Sequence, residues 1–173
     1  AFSETFPRGV FNVIYGNGRD IVEPIMSSGK ISAFAFIGSS NAANTIQRYH
    51  PKPNRLKLVL GLDAKNLGIV LEDADLTSAV DECVLGSLSF NGQRCTALKL
   101  LYVHEKVFDK FLEMFVRKVD SLKPGLPFDN PDITPIPDER INYLRGLIED
   151  AVSKGAKVVN SQKGDTETFF YPK

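Results

Sequence analysis

Hydrophobic positions in the first ninety residues alternate between the two periods that mark strands and helices. Short apolar runs predict four strands, at residues 10–15, 31–37, 56–60 and 67–71. Apolar residues three or four apart predict helices over 19–28, from Ser40 to about His50, and after Asp75, which suits a helix N-cap. Strands that alternate with helices through short joints indicate right-handed crossovers and a parallel sheet. The predicted fold class is therefore α/β.

The pattern changes after Cys95. Residues 98–103 predict another strand, and apolar residues between Val107 and Val119 predict a long amphipathic helix. A proline-rich connector, residues 124–137, leads to a last helix whose inward face is predicted to comprise Ile141, Leu144, Ile148 and Ala151. Residues 157–159 and 168–173 are interpreted as two final strands. We place a domain boundary between residues 92 and 93, and we expect the chain to be a piece of a longer protein.

Composition narrows the class of protein. Lysine plus arginine equals aspartate plus glutamate, 21 each, so no basic excess favours a nucleic-acid partner. No apolar run reaches the roughly 20 residues of a membrane span, and residues 1–7 lack the features of a signal peptide. Two cysteines cannot form a disulfide framework. These features predict a cytoplasmic globular protein without a membrane association.

Cys95 is the strongest candidate for chemistry. It follows Asn91-Gly92-Gln93-Arg94 between a predicted helix and a predicted strand, where a thiol can face a cleft. A thiolate is a good nucleophile at neutral pH, especially near cationic groups or helix dipoles. On residue type alone a buried structural cysteine is favoured, by about two to one. Cys83, on the apolar stripe of a helix, receives that structural interpretation.

Two glycine-containing joints could bind a phosphate. Gly16-Asn17-Gly18 lacks the third glycine of a dinucleotide fingerprint, because Ile21 occupies that position, so a plain tight turn is favoured. Gly38-Ser39-Ser40 precedes a helix, where a phosphate and a simple serine cap are equally good interpretations. The two histidines, His50 and His104, have no metal-ligand spacing and are predicted to be surface or loop residues. No metal site is predicted.

Four blocks, in order, resemble the aldehyde dehydrogenase superfamily: residues 11–16 (Phe-Asn-Val-Ile-Tyr-Gly), 36–40 (Phe-Ile-Gly-Ser-Ser), 65–76 and 90–95 (Phe-Asn-Gly-Gln-Arg-Cys). The resemblance covers about residues 7–172 and is nearest to the NADP-dependent glyceraldehyde-3-phosphate dehydrogenase-like branch. It implies that residues 1–92 are the second half of a Rossmann-like cofactor-binding domain and that residues 93–173 begin an α/β catalytic domain. It also implies NADP or NAD as cofactor, a small-molecule aldehyde as substrate, and a homo-oligomer for the full-length protein.

The resemblance assigns a role to each matching position. Cys95 corresponds to the thiol that attacks the aldehyde, and its backbone N–H to an oxyanion donor. Gly38 and Ser39 correspond to the pair that lies against the cofactor pyrophosphate. Gly16 and Gly18 line the cofactor cleft in this comparison. Leu62 corresponds to the residue whose backbone faces the nicotinamide carboxamide.

One departure from the family pattern affects the release step. The family's Glu-Leu-Gly-Gly-Lys block is Gly61-Leu62-Asp63-Ala64-Lys65 here, so the water-activating glutamate falls on Gly61. Three alternatives follow: another general base, release of the thioester to coenzyme A, or impaired catalysis. A non-catalytic binding or structural protein of the same fold is a further hypothesis. Other site residues of the family fall outside residues 1–173, so we expect the isolated chain to be inactive.

Overall fold

The computed structural model describes residues 5–160 and divides the chain into two compact units, Ala1–Asp63 and Ala64–Lys173. Each unit is an α/β arrangement built on one pair of parallel strands. The predicted parallel pairing is confirmed. The domain boundary at residues 92 and 93 stays a prediction, and the strand predicted at residues 168–173 lies outside the described residues.

The first unit has helices on a parallel strand pair. Its elements are α1 (Gly18–Ser27), β1 (Ala33–Gly38), α2 (Ser40–Tyr49), a 3₁₀ turn (Pro53–Arg55) and β2 (Lys57–Leu62). Strands β1 and β2 pair in parallel without a bulge, from Ala33 opposite Lys57 to Gly38 opposite Leu62. Their core consists of Met26, Ile46 and Leu56 with the rings of Phe34 and Phe36 packed against them. This packing fixes the carboxyl ends of both strands next to the start of α2.

The second unit continues the alternation. Its elements are β3 (Asn66–Val70), α3 (Leu76–Leu88), a 3₁₀ turn (Ser89–Gly92), β4 (Leu98–Val103), α4 (Glu105–Asp120), a 3₁₀ turn (Pro127–Asp129) and α5 (Asp138–Ser153). Strands β3 and β4 are parallel, and α3 connects them. The buried core is formed by Val70, Val80, Cys83, Val84, Phe111 and Val119. The structural interpretation of Cys83 is thus confirmed, and the loop that carries Cys95 leads out of this core.

Helix starts follow the polar residues that the sequence offers as caps. The Asp75 carboxylate accepts hydrogen bonds from the backbone N–H groups of Thr77 and Ser78, at 2.9 and 3.2 Å. The Ser39 hydroxyl accepts from the N–H of Ala42 at 3.2 Å. Side-chain oxygens that satisfy first-turn donors stabilise a helix by about 1 kcal/mol each. The predicted N-cap at Asp75 is confirmed.

Two of the predicted strands are wrong. Residues 10–15 and 157–159 form no strand, and both segments are exposed. Apolar composition alone does not make a strand, because the backbone needs a neighbouring ladder to pair with. Within residues 5–160 neither segment has such a neighbour.

Two side chains also differ from the prediction. Ala151 is exposed, because only the part of α5 around Ile141 packs into a cluster with Leu144 and Ile148. His50 follows α2 in a loop, as predicted, but is buried rather than on the surface, at 4% exposure. Its Nδ1 accepts from the N–H of Lys52 at 3.1 Å, so the neutral ring carries its proton on Nε2, which donates to the Ile31 carbonyl at 3.0 Å. His50 therefore ties the end of α2 to the segment that precedes β1.

No helix among the described residues has the length and apolar character that a membrane span requires. Across residues 5–160, no three histidine, cysteine, aspartate or glutamate side chains are grouped so that they could hold a metal ion.

Candidate nucleophile loop and cofactor end of the strands

Cys95 lies in an exposed turn between the 3₁₀ segment and β4. The turn is closed by a hydrogen bond from the Ala97 N–H to the Arg94 carbonyl, at 3.1 Å. Ala97 itself is fully buried and anchors the turn to the core. The thiol is therefore presented to solvent from a short segment that is fixed on its carboxyl side.

Three consecutive residues ahead of Cys95 have left-handed backbone conformations. The φ angles of Phe90, Asn91 and Gly92 are 53°, 54° and 68°. Glycine adopts this region freely and asparagine tolerates it, whereas a phenylalanine there costs on the order of 1–3 kcal/mol. A Cβ at Gly92 would also approach the Ser87 carbonyl oxygen to 3.0 Å. Contacts elsewhere must hold this strained segment in place.

Two amide side chains supply such contacts. The Asn91 Nδ2 donates to the Thr134 carbonyl at 3.1 Å. The Gln93 Nε2 donates to the Phe90 and Pro135 carbonyls, at 3.2 and 2.9 Å. Both amides thus pin the segment to the proline-rich connector more than forty residues along the chain. This gives the connector a structural role that its composition did not reveal.

Arg94 turns back toward the start of the loop. Its guanidinium donates to the Ser89 hydroxyl and lies over the Phe90 ring, with 5.7 Å between Cζ and the ring centroid. A cation over an aromatic face contributes about 0.5–1 kcal/mol at an exposed site. The contact offsets part of the strain at Phe90, so Arg94 supports the loop.

Asn66 on β3 and Lys99 on β4 hold the loop that carries Cys95 by hydrogen bonds to its backbone. The Asn66 Nδ2 donates to the carbonyls of Cys95 and Ala97, at 2.6 and 2.9 Å. The Lys99 ammonium donates to the Gly92 carbonyl at 3.1 Å. Burial lowers the pKa of Lys99 and Lys65 lowers it further, while the charge of a Cys95 thiolate opposes both. The Lys99 ammonium thus lies close enough to Cys95 for their charges to interact.

In the first unit, the register of the strands brings three predicted cofactor residues together. Gly38 and Leu62 are partners at the carboxyl ends of β1 and β2, and Ser39 caps the helix that follows. Gly16 and Gly18 flank Asn17, whose side chain accepts from the Arg19 N–H at 3.0 Å and caps α1. Ligands of parallel α/β sheets bind beyond the carboxyl ends of the strands, where helix N-termini offer N–H donors. The donors at the start of α2 are of the type that suits a cofactor diphosphate.

Two of the three departures from the family block, Gly61 and Asp63, lie at this same end of β2. Gly61 is exposed, and a Cβ added there would lie 3.4 Å from Ile37 Cγ1, an ordinary contact. Asp63 directs Oδ1 at Ser40, from which it accepts the backbone N–H at 2.8 Å and the hydroxyl at 3.1 Å. Its carboxylate therefore occupies the start of α2.

Sequence reasoning did not find the supporting residues Asn66, Gln93, Lys99 and Asp63. Asn66, Gln93 and Asp63 stand inside the quoted blocks, but their tertiary partners are 23 to 42 residues away in sequence. Only Asp63 carried a signal, since it replaces a glycine of the family block. The others are ordinary polar residues whose roles depend on the tertiary structure.

Comparisons with known proteins agree with this architecture. The sequence profile of the aldehyde dehydrogenase family matches residues 1–173. The chain is 39% identical over 165 residues to an NADP-dependent glyceraldehyde-3-phosphate dehydrogenase of Streptococcus equinus, covering 94% of this chain and 34% of that protein. It is 35% identical over 168 residues to a lactaldehyde dehydrogenase of Methanocaldococcus jannaschii, covering 96% and 35%.

A solved structure of glyceraldehyde-3-phosphate dehydrogenase GapN from Methanocaldococcus jannaschii, complexed with NADP, superposes with a TM-score of 0.87 at 33% identity. The match covers 96% of this chain and 36% of that one. The chain thus spans about a third of the length of these two curated relatives.

Proposed function

The chain belongs to the aldehyde dehydrogenase family, and we propose that the protein carrying it oxidises an aldehyde through Cys95, with NADP or NAD as hydride acceptor. The observation that carries this proposal is the presentation of an exposed thiol on a strained, multiply anchored loop. Strain held by the surrounding structure is typical of functional segments. Cys83, by contrast, is buried in the core.

The proposed chemistry begins at the Cys95 sulfur. The thiolate attacks the carbonyl carbon, a C–S bond forms, and the carbonyl oxygen becomes an alkoxide that the Cys95 N–H helps to stabilise. A donor of this kind contributes about 3 kcal/mol to transition-state stabilisation. The bound nicotinamide supplies a hydride acceptor, and loss of hydride from the thiohemiacetal carbon leaves a thioester on Cys95. Attack by an acceptor on this thioester breaks the C–S bond and restores the thiol.

The first unit supplies the cofactor contacts in this proposal. Gly38 and Ser39 hold the diphosphate, Gly16 and Gly18 line the cleft, and the Leu62 backbone faces the nicotinamide carboxamide. The hydroxyl and backbone N–H donors at the start of α2 support this assignment by their chemistry. A cytoplasmic location and a homo-oligomer remain part of the proposal.

Glyceraldehyde 3-phosphate is the first substrate to test, because several relatives are named for it. Reduction of NADP and NAD is followed by absorbance in the protein that carries this chain, beside Cys95→Ser and Cys83→Ser variants. We expect aldehyde-dependent reduction that Cys95→Ser abolishes and Cys83→Ser retains. Activity that survives in Cys95→Ser would refute the assignment of the nucleophile.

Gly61 keeps a second function open, namely release of the thioester to coenzyme A. Without a side chain, Gly61 cannot hold a water-activating carboxylate. Product analysis separates free acid from acyl-coenzyme A. If water is the acceptor and the protein lacks a general base, we expect Gly61→Glu to raise the rate of acid release. Gly61→Gln is the control, because glutamine has the shape of glutamate but cannot act as the base, and it should leave the rate unchanged.

A non-catalytic protein of the same fold is the remaining alternative. It predicts that the wild-type protein shows no aldehyde-dependent reduction of NADP or NAD. Faster alkylation of Cys95 than of Cys83 is expected in either case, because Cys95 is exposed and Cys83 is buried.

A further inference from the structure

We propose that Asp63 sets the affinity of the cofactor site, because its carboxylate holds the start of α2 and must be displaced by a cofactor diphosphate. This inference rests on the proposed function, since it concerns the same cofactor end of β1 and β2. It goes beyond that function by assigning Asp63 the role of an internal competitor for the anion.

Asp63 is placed by the strand pair. It follows Leu62, the last residue of β2, and its N–H donates to the Gly38 carbonyl at 3.1 Å. This bond extends the parallel ladder by one step and leaves the side chain beside the β1–α2 joint. The position is thus set by the backbone, independently of the carboxylate.

The contact with Ser40 is tertiary and not a local cap. Helix α2 already has its own N-cap, Ser39, whose hydroxyl accepts from the Ala42 N–H at 3.2 Å. Asp63 adds an acceptor from 23 residues away and takes both the N–H and the hydroxyl of Ser40, at 2.8 and 3.1 Å. Ser39 leaves the Ser40 N–H without an intrahelical partner, and the Asp63 carboxylate takes that donor, at the position that suits an external anion.

A diphosphate and the Asp63 carboxylate cannot share these donors. Both are negative, and two like charges about 4 Å apart disfavour each other at least about fivefold even in water. The bound cofactor therefore has to move the carboxylate away or tolerate its repulsion. An asparagine keeps the acceptor oxygen but removes the charge, which predicts tighter binding of the cofactor.

The test compares Asp63→Asn with Asp75→Asn in the protein that carries this chain. Asp75 is a matched control, because its carboxylate also accepts two donors at a helix start, on α3. Dissociation constants of NADP, NAD and inorganic pyrophosphate are measured by titration calorimetry at low ionic strength. We expect Asp63→Asn to tighten all three by about fivefold or more, and Asp75→Asn to change none of them. Asp63→Ser is the second variant if Asp63→Asn does not fold.

The outcomes separate this inference from the proposed function. Unchanged or weaker binding in both Asp63 variants overturns the inference, whatever the enzyme's activity. If neither cofactor binds any variant but pyrophosphate binding tightens in Asp63→Asn, the competition stands and the proposed cofactor use fails. If Asp75→Asn tightens binding equally, the effect is one of net charge and the inference is overturned.

Discussion

Replacing Asn66 by alanine removes the amide that holds the Cys95 turn from β3. Asn66 Nδ2 spans the turn by donating to the carbonyls of Cys95 and Ala97, at 2.6 and 2.9 Å. These two carbonyls belong to the turn that carries the thiol, so the amide holds the backbone of residues 95–97 in place. The variant leaves the thiol and the left-handed segment untouched in sequence, so it tests positioning alone.

The magnitude follows from the two hydrogen bonds. A hydrogen bond contributes about 0.5–1.5 kcal/mol net, and an acceptor that is buried without a replacement partner costs more than one that meets water. The Cys95 carbonyl belongs to an exposed residue, whereas Ala97 is fully buried. We therefore expect Asn66→Ala to lower the free energy of unfolding by about 1–3 kcal/mol. The same energy, if used to hold the thiol for attack, corresponds to a fall in kcat/KM of about 5- to 150-fold.

Three measurements distinguish positioning from exposure. Urea unfolding gives the stability, aldehyde oxidation gives kcat/KM, and iodoacetamide gives the intrinsic reactivity of Cys95. Because Cys95 is already exposed, its alkylation should change less than about threefold while kcat/KM falls further. Asn12→Ala is the matched control, since the Asn12 amide donates to a loop carbonyl, that of Gly9, at 2.9 Å. Asn12→Ala should leave both the alkylation rate of Cys95 and the kcat/KM for aldehyde oxidation unchanged.

Two results would contradict the reasoning. If Asn66→Ala loses stability but keeps wild-type kcat/KM, the amide has no role in orienting Cys95. If alkylation falls in parallel with kcat/KM, the thiol has lost accessibility or ionisation, and the amide acts on reactivity instead of position.

Other variants test the loop and the core. Gly92→Ala should lower the free energy of unfolding by about 1–3 kcal/mol, because φ is 68° and the added Cβ meets a carbonyl oxygen. Gly146→Ala should raise it by about 0.5–1 kcal/mol, since Gly146 lies inside α5 and an added Cβ meets no described atom within 4 Å beyond its chain neighbours and its own helix backbone; urea unfolding measures both. Burial and then Glu82 raise the pKa of Cys83, so the folded state holds that proton more tightly than the unfolded state. The contribution of the neutral Cys83 thiol to the free energy of unfolding is therefore lost as pH rises through this raised pKa. Mass spectrometry between pH 7 and 9 should find Cys95 alkylated well ahead of Cys83; equal labelling would refute the burial argument.

Much of the fold was predictable because local pattern and tertiary packing agree. The strand at Leu98–Val103 matches its predicted bounds, and Asp75 caps the helix that its position predicted. Where the local pattern and the tertiary structure disagree, the availability of a partner strand determines whether a strand forms. Residues 10–15 have the composition of a strand, but within the described chain no neighbouring strand is there to form a ladder with them. Burial of His50 was equally hidden, because it depends on a carbonyl 19 residues earlier.

The candidate site was predictable only where a residue's type is tied to its chemistry. A thiol at position 95 can be recognised as a candidate nucleophile from its neighbours in sequence. The left-handed conformation of Phe90 cannot be recognised from the sequence, because a phenylalanine does not favour positive φ. It persists through contacts from Arg94 and Gln93, and these arise from the folded loop. The supports of a site are therefore less visible in sequence than its reactive group.

The departures from the family block fall on one side of the proposed reaction. Gly61 and Asp63 both lie at the carboxyl end of β2. The turn that carries Cys95, by contrast, keeps the family block at residues 90–95 and is held by the amides of Asn66 and Gln93. In the proposed reaction, a change at β2 would act on the cofactor diphosphate at the start of α2 and on the group available to activate water. A change in the turn would act on thiol attack itself. Because the turn is intact, thiol addition is expected to follow the family pattern, and differences between this protein and its relatives should appear in cofactor affinity and in the fate of the thioester.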